Sequence, residues 1–299
     1  MLSKVAKYSA LIAIASTSLF ATDFNIQAEK DRKALVKYME AKFKDPVKNR
    51  SFFPYSTEDE LKNTIKKGVK ASELAKGSYG YDMKGREQYD DINELPPYED
   101  AIDEGEALYK NNKALQKCFP KTDIAGDYPY FDDKKGEVVT ITQAINDCLV
   151  DAGQKKWNIK KGKMAKLEAY FAHKSKEAGK KVDIKINSKA AEEAYERGKK
   201  AYYSQRGYLK LSCATCHVQG AGKRVRAEYM SPLLGHTTHF PVYRLKWNSL
   251  GTLERRIEGC NKDEGENPHK GSSKWAKEVL YFMSYMSNGM TIDGPDIRK

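Results

Sequence analysis

The segment Cys213-Ala214-Thr215-Cys216-His217 is the most informative stretch of this chain. Two thiols three positions apart can each form a thioether with one vinyl group of a single haem, and a histidine directly after the second thiol falls under the iron. Cys-x-x-Cys-His is therefore the attachment signature of a c-type haem. The motif predicts one covalently bound haem c, with Cys213 and Cys216 as anchors and His217 as an axial ligand of the iron.

Two other interpretations of this motif are a redox-active cysteine pair beside an unrelated histidine and one half of a zinc site. A thioredoxin-like pair would need a βαβ sequence context. A zinc site would need a second Cys or His pair at suitable spacing. The sequence has neither pattern, so it favours haem.

The N-terminal segment has the pattern of a secretory signal peptide. Lys4 and Lys7 precede an apolar run over residues 10–20, and small residues follow near Ala21, where we expect cleavage after residues 1–21. The run is shorter than the roughly 20 residues that span a bilayer. We therefore expect a periplasmic protein without a membrane span. Removal of the segment lowers the formal net charge from +12 to +10, and such a basic exported protein favours acidic proteins or small anions over nucleic acid as partners.

Three pairs of matching segments indicate an internal duplication. In chain order the pairs are 105–109 with 198–203, 140–148 with 252–260, and 165–171 with 276–282. The offset in residue number is 112 for the second pair and 111 for the third. In this alignment Cys118 matches Cys213, but Phe119 follows it and the attachment motif is missing, so the first copy cannot hold a c-type haem.

The duplication predicts a mainly α fold of two tandem cytochrome c-like domains, the first without haem. We place the first domain, with an N-terminal extension, at residues 22–180 and the haem-binding domain at residues 181–299. Apolar residues at three- and four-residue steps predict helices over 192–203 and 275–286. The acidic stretch 82–99, which contains two adjacent prolines, predicts an irregular connector.

The same alignment assigns the remaining cysteines. In an oxidising compartment Cys118 and Cys148 are predicted to form a disulfide, whose loop of about 30 residues contributes roughly 3 to 4 kcal/mol in the chain-entropy model. Cys260 matches Cys148 and is left unpaired, which makes it either a buried inert thiol or a ligated or reactive one. Arg256, four positions earlier, would share a helical face with it and favour its thiolate. This pairing favours the reactive interpretation, although Arg256 could also be an ordinary surface arginine.

Spacing does not determine the ligand opposite His217. A methionine is usual for a small electron-transfer cytochrome. A thiolate beside a guanidinium suits an anionic sulfur substrate instead, because arginine binds oxyanions and sulfur can form the covalent bond. The candidates are Met230, Met283, Met286, Met290, His236, His239 and Cys260.

Several blocks of the chain resemble the SoxA family, the subunits of the thiosulfate-oxidising cytochrome complex of sulfur bacteria. These blocks are residues 211–217, 221–222, 235–244, 255–261 and 285–289. They occur in the family's order, and the resemblance is densest from Gly198 onward. Because the first copy lacks the attachment motif, the chain is similar to the single-haem form of the family.

The resemblance implies an L-cysteine S-thiosulfotransferase that couples thiosulfate to the cysteine of a SoxYZ-like carrier, giving an S-thiosulfonate and two electrons. It also implies a heterodimer with a SoxX-like cytochrome, whose haem would accept the second electron. In the family, the position of Cys260 ligates the iron opposite the histidine and occurs as a persulfide, and the position of Arg256 contacts the substrate.

Two other functions are compatible with these residues. In a plain electron-transfer cytochrome, Cys260 would be structural and a methionine would ligate the iron. In a haem-based sensor or assembly protein, the sixth position would be open or readily displaced. The roles of His236, His239 and Arg244 are not determined by the sequence.

Overall fold

The computed structural model describes residues 23–225 and 228–298, so the predicted signal peptide lies outside the described residues. The helices are α1 (Ile26–Lys44), α2 (Glu58–Thr64), α3 (Met83–Asn93), α4 (Glu99–Lys110), α5 (Lys113–Cys118), α6 (Ile141–Asp151), α7 (Lys163–Glu177), α8 (Lys189–Tyr203), α9 (Leu253–Asp263) and α10 (Lys274–Met286). The strands are β1 (Tyr130–Asp132), β2 (Glu137–Val139), β3 (Arg224–Val225), β4 (Glu228–Tyr229), β5 (Val242–Arg244), β6 (Ser249–Gly251) and β7 (Asp296–Arg298). The predicted mainly α fold is confirmed, and α8 and α10 cover the two predicted helices. Within the described ranges, no helix is both long enough and apolar enough to cross a bilayer.

Two helix crossings of the same geometry reveal the duplication. α4 crosses α7 in the first copy, and α8 crosses α10 in the second. A Cβ atom on Gly105 would lie 2.0 Å from the carbonyl oxygen of Lys166, and one on Gly198 would lie 2.0 Å from that of Glu278. Glycine permits this close backbone approach because it has no Cβ. The offset between Lys166 and Glu278 is 112 in residue number, so the offset of 111 taken from the sequence for these helices is one position short.

A hairpin and the helix after it are also repeated. β1 pairs antiparallel with β2, and β5 pairs with β6 in the same way at the same offset of 112 in residue number. The helices that follow, α6 and α9, begin after Thr140 and Thr252, whose side-chain oxygens accept backbone N–H groups as N-caps. In the second copy β7 adds a parallel strand to β5, giving the order β6-β5-β7. From the hairpin onward, equivalent elements thus recur at one constant spacing, which supports the tandem arrangement.

The copies differ in the loop that follows the first cysteine. The segment from Cys118 to the strand at Tyr130 is less than half as long as the segment from Cys213 to the strand at Val242. In the first copy Cys118 is joined to Cys148, with Cα atoms 6.3 Å apart, as predicted. Apolar side chains pack around this bridge: Leu115, Phe119, Ile145, Leu149, Leu167 and Phe171. The first copy therefore has a short, cross-linked core where the second has a loop long enough to enclose a prosthetic group.

The N-terminal extension packs on the second copy, although it precedes the first in sequence. α1 and residues 53–81 share one hydrophobic core with α8 and α10. The rings of Phe43 and Tyr81 stack with centroids 4.4 Å apart. Lys42 donates from Nζ to the carbonyl oxygen of Gln219 at 2.9 Å, within the loop that follows the attachment motif. The extension, which the sequence analysis grouped with the first domain, therefore contacts the loop that follows the attachment motif. The domain boundary near residue 181 stays a prediction.

The prediction of an irregular connector over residues 82–99 is wrong where α3 forms. Asp82 Oδ1 accepts the backbone N–H of Gly85 at 2.9 Å and caps the helix. Arg86 and Asp90 then pair one turn apart at 2.8 Å. The acidic residues that suggested a loop thus include the cap and a pairing partner that stabilise a helix.

A cavity of about 80 Å³ lies between the two copies. Equivalent residues line it in pairs: Ile141 with Leu253, Glu168 with Leu280, and Ala172 with Ser284. The second of these pairs is unequal in polarity, since a carboxyl group faces the cavity from the first copy. Glu168 Oε1 is buried without a hydrogen-bond partner among the described residues. Burial, with a smaller effect from Glu254, raises the pKa of Glu168 well above its usual value.

Candidate haem and sulfur site

The attachment motif lies in a tight turn after α8. A π-helical turn carries Cys216 and His217. Its start is held by two reciprocal hydrogen bonds: the N–H of Thr215 donates to Ser212 Oγ, and the N–H of Ser212 donates to Thr215 Oγ1, each at 3.1 Å. Cys213 and Cys216 are free and partly buried. Burial raises the pKa of both thiols, so both are protonated near neutral pH.

His217 is held in the tautomer that a metal ligand needs. Its ring is 6% exposed, and Nδ1 lies 2.8 Å from the carbonyl oxygen of Ser231. A carbonyl oxygen can only accept, so Nδ1 carries the proton and Nε2 keeps its lone pair. Burial is the main reason that the pKa of His217 is lowered to about 4, and the ring is therefore neutral at physiological pH.

α9 brings Cys260 to the attachment cysteines. Its sulfur is close enough to act electrostatically on the thiols of Cys213 and Cys216. Burial raises the pKa of Cys260, and the carboxylates of Asp263 and Glu264 add to that shift. The guanidinium groups of Arg256 and Arg244 oppose it. As expected, Arg256 lowers the pKa of Cys260, but burial raises that pKa by more. Three cysteines that are distant in sequence thus form one cluster with two arginines.

The adjacent arginines of α9 have different surroundings. Arg255 lies over the ring of Trp247 at 4.1 Å and donates to Ser249 Oγ at 3.2 Å, so it is a packing residue. The side chain of Arg256 is 23% exposed, and its ion pair with Asp263 is long, at 3.7 Å. Arg256 also acts electrostatically on Cys260 and on the histidine of the attachment motif. This position differs from that of an ordinary surface arginine.

Arg244, at the end of β5, supplies the second guanidinium near Cys260. It lies over the ring of Trp247 at 5.2 Å. Burial, followed by the charge of Arg256, lowers the pKa of Arg244. Two partly buried guanidinium groups near one thiol form a site suited to an anion that carries several oxygens. The sequence left the role of Arg244 open, and the structure places it at the cysteine cluster.

His236 and His239 are buried, and burial holds the pKa of each well below its usual value. The ring centroid of His236 lies 4.5 Å from that of His217, and its Nδ1 has no hydrogen-bond partner in the described part of the chain. Nδ1 of His239 lies 3.3 Å from the carbonyl oxygen of Ala75, so it donates to the N-terminal extension. His236 therefore lies beside the histidine of the attachment motif, whereas His239 binds the N-terminal extension.

The methionines considered as iron ligands have packing or backbone contacts. Met283 and Met286 are buried on α10 within the main core, and Met290 packs at its edge. The carbonyl oxygen of Met230 accepts the hydroxyl of Tyr81. Three of the four methionines thus have side chains that pack in or against the core, and the contact at Met230 is made by its backbone.

The residues around the attachment turn fit haem c. The hydroxyl of Tyr202, a residue 1% exposed, has no hydrogen-bond partner among the described residues. Burial and the nearby sulfurs of Cys213 and Cys260 raise its pKa well above the usual value. A buried unpaired hydroxyl beside attachment thiols is a group that a bound ligand would satisfy. Helical spacing predicts Tyr202 only as a core residue, so its position at the site was not foreseen from the sequence.

Comparison with known proteins agrees with this geometry. Curated relatives named L-cysteine S-thiosulfotransferase subunit SoxA, from Chlorobaculum tepidum and Chlorobaculum thiosulfatiphilum, are 45% and 44% identical to this chain over 236 and 237 residues. The alignments cover 77% and 78% of this chain and 82% of each relative. The chain belongs to the SoxA family. The resemblance stated from the sequence blocks is thereby confirmed, as is the predicted class of enzyme.

Two further comparisons concern the SoxA fold. The family described as SoxA/TsdA, cytochrome c domain, matches residues 104–179, which are the copy without the attachment motif. The crystal structure of SoxXA from P. pantotrophus superposes with a TM-score of 0.64 at 25% identity, covering 71% of this chain and 84% of that chain. The first copy is thus a cytochrome c domain, and haem c is the cofactor of the family fold.

Proposed function

We propose that this SoxA-family chain couples thiosulfate to the cysteine of a carrier protein at Cys260. The observation that supports this proposal most directly is that Arg256 and Arg244 both act on the Cys260 sulfur beside the attachment turn. Guanidinium groups bind oxyanions through paired N–H donors, and a cysteine sulfur can form a covalent bond to the substrate sulfur.

In the proposed reaction, a carrier thiolate and thiosulfate form one new sulfur–sulfur bond and release two electrons. Three negative charges enter on the reactants, one remains on the carrier S-thiosulfonate, and two leave as electrons. Haem c supplies a one-electron acceptor, and the haem of a SoxX-like partner supplies the second. This electron count is the physical reason to expect a heterodimer.

The residues of the chain have distinct roles in this proposal. Arg256 and Arg244 bind the sulfonate oxygens and direct the outer sulfur of thiosulfate toward Cys260. The Cys260 thiolate and the outer sulfur of thiosulfate form a sulfur–sulfur bond as the two electrons leave. The carrier thiolate then attacks that outer sulfur, the bond to Cys260 breaks, and the Cys260 thiolate is released. His217 and Cys260 would hold the haem iron, and the hydrogen bond from His217 Nδ1 to Ser231 keeps Nε2 available for it.

The proposal includes one haem c, held by Cys213 and Cys216, because the first copy lacks an attachment motif. It also includes a SoxYZ-like carrier, a persulfide form of Cys260, and periplasmic location after removal of residues 1–21. The structural match to a SoxXA complex supports the SoxX-like partner. The export pattern at the N-terminus supports the location.

The decisive experiment is near-infrared magnetic circular dichroism with electron paramagnetic resonance on the ferric protein, wild type and Cys260→Met. We expect a sulfur-anion ligand in the wild type, its loss in the variant with haem retained, and loss of thiosulfate coupling. A methionine or bis-histidine signature in the wild type, or full coupling by Cys260→Met, would overturn the assignment.

Arg256→Ala tests substrate binding, with Arg255→Ala as the matched control. Both changes remove one positive charge from α9, but Arg255 packs on Trp247. Hydrogen bonds to charged groups contribute about 1.5 to 3 kcal/mol, so the KM for thiosulfate should rise roughly 10- to 100-fold in Arg256→Ala. Arg255→Ala should lower stability with little change in KM. Equal kinetics in the two variants would remove Arg256 from the binding site.

A further inference from the structure

α9 has two opposite functional faces. Arg256 and Cys260 lie four residues apart on one face, and Glu254 and Glu258 lie four apart on another. Because each residue turns the helix by about 100°, a shift of two positions moves a side chain about 200° around the axis. The carboxylate face therefore points away from the cysteine cluster.

The carboxylate face is bound by the haemless copy. Thr142 Oγ1 donates to Glu254 Oε1 at 2.6 Å, and these residues are 2% and 3% exposed. They are also equivalent positions in α6 and α9, at the repeat offset of 112 in residue number. One turn further along α9, Lys160 Nζ lies 2.8 Å from Glu258 Oε2.

The N-cap of α9 is held by the same copy. The hydroxyl of Thr252 donates to the carbonyl oxygen of Ile159 at 2.7 Å, and its backbone N–H donates to the carbonyl oxygen of Lys160 at 3.2 Å. α9 is thus attached to the haemless copy at its cap, its first turn and its second turn. Bonds at three successive levels restrict both rotation about the helix axis and sliding along it.

We propose that the haemless copy positions α9, with Thr142 and Lys160 as the positioning residues for Cys260 and Arg256. This inference rests on the proposed function, which assigns the chemistry to those two side chains. Hydrogen bonds are directional, and reacting groups must be held within about 0.5 Å of their productive geometry. A copy that has no attachment motif therefore still contributes to turnover through its contacts with α9.

The test uses the full-length protein with its partner and compares Thr142→Val plus Lys160→Met with Lys135→Met. Lys135 is in the same copy and pairs with Asp147 at 2.7 Å, with side-chain exposure similar to that of Lys160. In the double variant we expect retained haem, about tenfold faster hydrogen exchange over residues 253–263, a broadened ferric low-spin resonance, and about a tenfold fall in kcat/KM. Lys135→Met should match the wild type.

Conservative variants separate positioning from general stability. Thr142→Ser and Lys160→Arg keep the donors and should restore the resonance and kcat/KM. Lys160→Met alone removes only a partly exposed ion pair, so this variant should fold even if the double variant does not. We expect its kcat/KM to fall about threefold. Wild-type resonance and kinetics in Lys160→Met and the double variant would overturn the inference. Absence of a thiolate signal in the wild type would instead overturn the assignment of Cys260, and hydrogen exchange would still report whether the first copy holds α9.

Discussion

The two cytochrome c copies share their helix crossings, hairpins and capped helices, yet their corresponding cysteines differ in covalent chemistry. In the first copy Cys118 and Cys148 form a disulfide within a packed apolar core. In the second, Cys213 and Cys260 are not joined by a disulfide, and Cys260 lies near two arginines. A cross-link can stabilise a fold by restricting its unfolded chain, but this one leaves no attachment motif for haem. Corresponding positions thus serve a structural cross-link in one copy and the proposed redox site in the other.

The largest expected effect comes from removing the cysteines of each copy in turn. Cys213→Ala with Cys216→Ala should abolish covalent haem and reduce coupling to background, because no thiol remains to hold the porphyrin. Cys118→Ala with Cys148→Ala should keep the haem. Haem staining after denaturing electrophoresis, together with the coupling assay, measures both outcomes. Retained stain in the first variant would contradict the assignment of the anchors.

The disulfide itself should contribute several kcal/mol to the stability of the first copy. Cys118→Ala with Cys148→Ala removes a cross-link with a sequence separation of 30, which the chain-entropy model values at roughly 3 to 4 kcal/mol of unfolding free energy. Denaturant unfolding followed by circular dichroism measures this loss, with reduced wild type as the control. A loss below about 1 kcal/mol would mean that apolar packing alone holds the copy together.

Substitution of the glycine at each helix crossing tests whether the two copies are equivalent in packing. Gly105→Ala and Gly198→Ala each put a Cβ atom against a carbonyl oxygen, and overpacking of this kind costs about 1 to 3 kcal/mol. Gly259→Ala is the control, since its nearest contact would be 3.9 Å away, and it should stabilise α9 by about 0.5 to 1 kcal/mol. Thermal unfolding measures all three. If only one of the two crossing variants kept wild-type stability, the two crossings would not be equivalent in packing.

The smallest effect concerns the unequal pair at the cavity, Glu168 and Leu280. The pKa of Glu168 is raised in the folded protein, so the folded state holds its proton while the unfolded chain releases it above about pH 4.3. Stability from this proton is complete below that pH and is lost as the pH rises toward the folded pKa. Glu168→Gln should therefore be more stable than the wild type at pH 8, because the glutamine side chain has no proton for the unfolded chain to release.

Denaturant unfolding at pH 5 and pH 8 checks this prediction. The difference between Glu168→Gln and the wild type should be larger at pH 8 than at pH 5. Glu168→Leu, which reproduces the second copy, should follow the glutamine variant. Parallel pH dependence in all three proteins would show that Glu168 does not titrate differently on folding.

Several features were predictable because they depend on positions along the chain. The attachment motif is a short continuous stretch, the disulfide follows from matching Cys118 and Cys148 to the second copy, and amphipathic spacing located α8 and α10. The prediction failed at α3, where Asp82 caps a helix in a stretch whose acidic composition suggested a loop. Capping depends on the geometry of a single side chain, which composition does not report.

By itself, the sequence determined the position of the attachment motif, the duplication, the absence of the motif from the first copy, and the spacing of Cys260 and Arg256 one helical turn apart. Each of these is a local or linear pattern. Only the tertiary structure decided that Arg244 and Tyr202 lie near the cysteine cluster and that the N-terminal extension contacts the loop after the attachment motif. It also decided that the first copy binds the carboxylate face of α9. These contacts join segments far apart in the chain, and they form because buried apolar and polar groups find their partners when the separate elements pack together.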